Sequence, residues 1–265
     1  MLRRGAIILV LGLIGVFVGV RAQAQLGRQV VELVDGPDGV ARRVLFLLPN
    51  RPTAAVLLFP GGNGVVGLGV AGFITYDDNF LVRTRDLWRS ENLAVALPDV
   101  AANVSLVGHR ATPEFAEIQA GILARLRALA GPVPIFLVGT SLGSVGAANL
   151  AASLPQGRIA GLVLTSTVTR NNGNGETIFD VALGKVTVPT LIVNQDADTC
   201  RIAPPADAGK IIAALVAAPR KDLLAISARS PLRDGPCTPY GPHGFLNIEG
   251  STVRRITAWM RESAP

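Results

Sequence analysis

Short apolar runs alternate with longer segments of helical period along most of this chain. Apolar or alternating character over a few residues predicts strands at 28–34, 40–48, 54–59, 93–97, 135–138, 159–165, 190–194 and 222–227. The later runs are continuously apolar, as strands covered on both faces of a parallel sheet are. Between them, a period near 3.6 residues predicts helices over 113–130, capped by Thr112, and over 142–153, 205–217 and 248–262. Strands alternating with helices after an antiparallel opening pair imply an α/β fold, a mostly parallel central sheet of about eight strands with helices on both faces. Ligands on such a sheet bind beyond the carboxyl ends of the strands, so chemistry is expected just after the strand-like runs.

The first residues break this pattern. Arg3 and Arg4 precede an apolar stretch from Ala6 to Val20, and Ala22-Gln23-Ala24 supplies a small-x-small cleavage site. This predicts a signal peptide over 1–24 and one domain over 25–265, exported to the periplasm or the exterior. An uncleaved anchor is the alternative, since the apolar run falls just short of the ~17–25 residues that span a bilayer. After cleavage no stable membrane insertion is expected.

Of the 25 Lys and Arg residues, Arg3, Arg4 and Arg21 lie in that leader, so 19 Asp and Glu leave the mature chain at a net charge of +3. No run of three basic residues appears, and no nucleic-acid partner is expected. With 49% hydrophobic residues and no internal repeat, the remainder suffices for one sizeable core. Two histidines and two cysteines at no metal-ligand spacing give no support for a metal site. The glycine-rich stretch 61–69 lacks both the Lys-Ser/Thr of a phosphate loop and the spacing of a dinucleotide fingerprint.

The strand ending at Val138 runs into Gly139-Thr140-Ser141-Leu142-Gly143, and a small-residue helix follows. This is G-x-S-x-G in a strand-turn-helix setting, where the glycines permit a tight turn and the serine hydroxyl projects at a helix N-terminus. On these residues the sequence resembles the α/β-hydrolase superfamily, over about Val40 to Met260. The resemblance implies a nucleophile, acid and histidine in that chain order, and no cofactor.

Ser141 is then the nucleophile, and a serine here argues against the branches of the superfamily that use aspartate. For the base, His243 sits in Gly241-Pro242-His243-Gly244-Phe245, a turn before the last helix that can present an imidazole without burying it. His109 precedes the serine, which suits a solvated loop or rim residue better than a base. The acid should follow the strand over 190–194, where both Asp196 and Asp198 stand. The family's x-G-x-x-D turn places it on Asp198, with Gln195 where glycine is usual, and Asp196 is the alternative.

Oxyanion donors are expected from the Leu142 N–H and from the loop Pro60-Gly61-Gly62-Asn63-Gly64, which resembles the family's His-Gly loop with proline in place of histidine. Gly62 is the donor expected there, with Asn63 as the alternative. Tyr76-Asp77-Asp78-Asn79 and Trp88 are candidates for the cleft lining, or for a surface loop and a core aromatic.

Cys200 and Cys237 form a disulfide candidate if the chain is exported. On the topology the resemblance implies, both stand on loops at the carboxyl edge of neighbouring strands, so the bond would tie the acid loop to the base loop.

About twenty residues separate the strands ending near Thr165 and starting near Thr190, too few for a large cap. An open cleft suits small-molecule or polymer esters and hydrolysis through an acyl-enzyme. A peptidase or amidase of the same fold is the alternative. A non-catalytic exported binding module is the other, although all three triad residue types are present.

Overall fold

The computed structural model describes residues 27–101, 104–171, 173 and 175–264. The expected signal peptide over 1–24 lies outside the described residues.

One eight-stranded sheet organises the chain: β1 (Arg28–Asp35), β2 (Ala41–Leu48), β3 (Ala54–Phe59), β4 (Leu93–Pro98), β5 (Ile135–Thr140), β6 (Gly161–Thr165), β7 (Thr190–Gln195) and β8 (Lys221–Ile226). Its order is β1-β2-β4-β3-β5-β6-β7-β8. β2 pairs antiparallel with β1 and β4, and every later pairing is parallel. The chain therefore starts at one edge, crosses to β3 and then winds outward through β8.

Among the described residues, six α-helices cover the sheet: α1 (Phe80–Arg83), α2 (Arg85–Ser90), α3 (Pro113–Ala130), α4 (Gly143–Ser153), α5 (Ala208–Ala214) and α6 (Glu249–Ser263). Side chains alternate across a strand, and β3 shows the result. Ala55, Leu57 and Phe59 join a core layer with Phe115 and Ile122 of α3 and Val145 and Leu150 of α4. Ala54, Val56 and Leu58 join the opposite layer with Phe80, Leu81 and Trp88 and with Val253, Ile256 and Trp259 of α6. With helices on both faces, a continuously apolar β3 is fully buried.

Local chemistry sets the helix ends. Thr112 Oγ1 accepts the Phe115 N–H of α3 at 3.2 Å, Pro113 occupies the first turn, and Gly131 ends the helix at φ 80°. Two expectations need correction. The helix expected over 205–217 is a 3₁₀ turn, Pro205–Asp207, followed by α5, which stops at Ala214 so that Leu215 turns into the core. α1 and α2 were not expected, because Thr84 breaks the pattern: its hydroxyl bonds the Phe80 carbonyl at 2.7 Å and splits the segment into two short helices. Between β6 and β7 the described residues hold only two 3₁₀ turns, Ile178–Asp180 and Leu183–Lys185.

Candidate active site

β5 delivers Ser141 to the carboxyl edge of the sheet through a turn too tight for ordinary residues. A Cβ on Gly143 would lie 1.9 Å from the Phe59 carbonyl oxygen, and one on Gly139 would lie 2.6 Å from Gly143 O. Both glycines of the motif are thus required by close backbone approach. Ser141 itself takes φ 54°, in the left-handed region that costs a non-glycine residue about 1 kcal/mol or more. Its N–H, donating to Thr165 O at 2.9 Å, helps hold it there. Ser144 braces the elbow from below, donating from Oγ to Gly139 O at 3.1 Å.

His243 arrives on a 3₁₀ turn, Pro242–Gly244, after β8. Its Nε2 lies 3.0 Å from Ser141 Oγ and its Nδ1 lies 2.9 Å from Asp198 Oδ2. With the ring proton on Nδ1, that N–H donates to the carboxylate while Nε2 accepts from the serine hydroxyl. Contrary to the expectation of an unburied imidazole, His243 is buried at 5% exposure by the turns packed around it, as is Asp198 at 6%, while Ser141 is half-buried, so this chain of hydrogen bonds is shielded from competing water.

The structure also separates the two carboxylates. Asp198 follows a turn in which its N–H bonds Gln195 O at 2.9 Å, and its second oxygen accepts the Cys200 N–H at 2.9 Å. Asp196 is exposed and bonded to Ser227, away from the imidazole. Gln195, standing where the family pattern has glycine, stabilises the turn through its side chain: Oε1 accepts from Ala197 N at 2.6 Å and Nε2 donates to Ala228 O at 2.7 Å.

Cys200 and Cys237 are joined by a disulfide, with Cα atoms 4.6 Å apart. It links the loop carrying Asp198 to the segment leading to His243.

The expected oxyanion donors lie at the same edge. Leu142 precedes α4, and its N–H has no acceptor among the described residues. Gly62, at φ 58°, and Asn63 form the exposed tip of a turn closed by Gly64 N donating to Gly61 O at 3.2 Å. Beneath that tip lies the guanidinium of Arg110, 1% exposed, donating to Gly62 O at 2.9 Å and Pro60 O at 3.3 Å. Because a trans peptide holds its C=O and N–H on opposite sides, this contact turns the Asn63 N–H away from Arg110. Burial pulls the Arg110 pKa down to about 10, and the Glu176 carboxylate 3.8 Å away opposes the shift, so the cation persists at neutral pH.

Sequence reasoning missed these supports. Asp99, at the end of β4, accepts the N–H groups of Val66 at 2.8 Å and Leu68 at 2.7 Å and pins the loop after β3. Ser166 Oγ donates to His243 O at 2.8 Å. Arg83 of α1 donates to the Gly244 carbonyl and pairs with Glu249 at 3.0 Å, clamping the histidine turn from below. Polar residues at strand or helix ends were the available signal, but their partners are remote in sequence.

His109 is exposed on a different cavity, against α3, and does not join Ser141. Trp88 is a core aromatic, its Nε1 donating to Thr84 Oγ1 at 3.0 Å. Of the 76–79 segment, Tyr76 and Asp77 are exposed while Asp78 and Asn79 line the cavity at Ser141. No cluster of metal-ligating side chains occurs among the described residues.

Neither a protein-family model nor a curated protein matches this sequence. Solved structures do match. An esterase from Pyrococcus furiosus superposes with a TM-score of 0.65 at 11% identity, covering 89% of this chain and 91% of its own. A serine hydrolase from Xanthomonas campestris, described as lacking a lid, gives 0.60 at 15% identity over 90% of this chain and 96% of that one. An acylaminoacyl peptidase from Pyrococcus horikoshii gives 0.63 at 10% identity over 89% of this chain but only 42% of that one. The chain has the α/β-hydrolase fold.

Proposed function

We propose that this protein is a serine hydrolase that cleaves carboxylic esters through an acyl-enzyme intermediate. The observation that carries the reading is the hydrogen-bonded chain from Ser141 through His243 to Asp198, starting on a backbone turn at positive φ. As the serine oxygen attacks the ester carbonyl carbon, its proton moves to His243 Nε2. Asp198 holds the ring in the tautomer that can accept it and stabilises the imidazolium. The oxygen that becomes negative receives N–H groups from Leu142 and from Gly62 or Asn63. His243 then returns the proton to the departing alkoxide oxygen, leaving the acyl group on Ser141. Water, deprotonated by the same imidazole, attacks the acyl carbon and releases the acid as the serine regains its proton.

The short connection between β6 and β7 supports an open cleft, which admits small-molecule or polymer esters without a lid opening. The disulfide supports export to an oxidising compartment, the destination that the leader over 1–24 implies. A fluorophosphonate probe tests the chemistry: it should label wild-type protein on Ser141 and leave Ser141→Ala unlabelled and inactive on p-nitrophenyl butyrate. The wild type is expected to turn over aryl and alkyl esters faster than matched aminoacyl amides. Labelling that survives Ser141→Ala, or preference for the amides, contradicts the reading.

A further inference from the structure

Asn79 stands before α1 and points both ends of its amide at different tasks. Its Oδ1 accepts the Leu81 N–H at 3.0 Å, capping the helix. A backbone N–H needs an oxygen partner, so this bond fixes which end of the amide is which and leaves Nδ2 turned the other way. Nδ2 has no acceptor among the described residues.

Nδ2 lies beside Gly61, next to the turn that carries Ser141. Asn79 and Ser141 line one cavity of about 180 Å³ between the Gly61–Asn63 loop and the His243 turn. A Cβ on Gly61 would stand 3.3 Å from Asn79 Nδ2 and 3.0 Å from Ser141 Cβ, so the absent side chain at Gly61 is what keeps the space between amide and serine open. The amide is also held in place. Arg83 donates to the Asp78 carbonyl just before it, and Phe80 just after it packs against Phe245 at a tilt of 46°, with ring centroids 4.9 Å apart.

The geometry points to Asn79 as a catalytic residue whose Nδ2–H donates a third hydrogen bond to the carbonyl oxygen of the substrate as it becomes negative. This rests on the serine-hydrolase reading above. A preorganised donor aimed at developing charge acts more strongly on the transition state than on the bound ester. The Asn79 side chain supplies one beyond the backbone N–H groups.

Two substitutions keep the helix cap and remove the Nδ2–H donor, the serine hydroxyl ending one atom short of the position Nδ2 occupies. Asn79→Asp retains the size and the accepting oxygen, and Asn79→Ser retains a capping oxygen without adding charge. Both should melt with the wild type. On p-nitrophenyl butyrate both should lose about 100-fold in kcat with KM within about twofold, the signature of an interaction made in the transition state. A residue that only caps α1 predicts unchanged kcat in both. If either folded variant keeps kcat within about threefold of wild type, or raises KM at constant kcat, the assignment is overturned while the hydrolase reading stands. Wild-type protein inert to both ester and fluorophosphonate overturns the hydrolase reading and this assignment with it.

Discussion

Replacing Cys200 and Cys237 together by serine tests how far the site depends on a covalent brace. The bond closes a loop with a sequence separation of 37 residues, from beside Asp198 to the approach to His243. On the chain-entropy account, releasing a loop of this length gives the unfolded chain about 4 kcal/mol of freedom. For a domain of this size each kcal/mol is worth about 2–4 °C, so Tm should fall by about 10 °C. Cys200 is 1% exposed among Val168 and Ala203, so a buried serine hydroxyl there adds to the loss. The effect on rate comes by another route. Asp198 Oδ1 is held by the Cys200 N–H at 2.9 Å, and loosening that loop weakens an orienting bond worth about 1 kcal/mol, or about three- to tenfold in kcat. Calorimetric melting and ester hydrolysis at 25 °C read the two effects separately. An unchanged Tm refutes the brace, and a lower Tm with full kcat refutes its role in aligning the acid.

Two further outcomes follow from the same geometry. Asp198→Asn should lower kcat by about ten-thousandfold, since the amide favours the wrong histidine tautomer, while Asp196→Asn, at a side chain bonded to Ser227, stays within about twofold; the reverse ranking by ester assay moves the acid to Asp196. N-terminal sequencing of the exported protein should begin at Gln25, and recovery of intact Met1 in a membrane fraction makes the leader an anchor.

Much of this molecule is legible locally. Strand positions, the helices over 113–130 and 248–262 and the G-x-S-x-G elbow follow from apolar periodicity and turn chemistry, because burial on both faces of a parallel sheet leaves a mark on every residue of a strand. The turns that carry Ser141 and His243 were visible for a similar reason: glycines around each announce a backbone that only a tight turn requires. The choice between Asp196 and Asp198 was not local. Both follow the same strand, and only the arrival of His243 from 45 residues away selects the carboxylate at 2.9 Å from its Nδ1. The same holds for Arg110 beneath the Gly62 turn and for Arg83 beneath the histidine turn, since a buried cation acquires its role from carbonyls that the fold brings to it. Asn79 is the sharpest instance. Its capping role belongs to the sequence next to it, but the nearness of its free amide to the serine turn exists only because β3 and β5 pair side by side and set Gly61 between them.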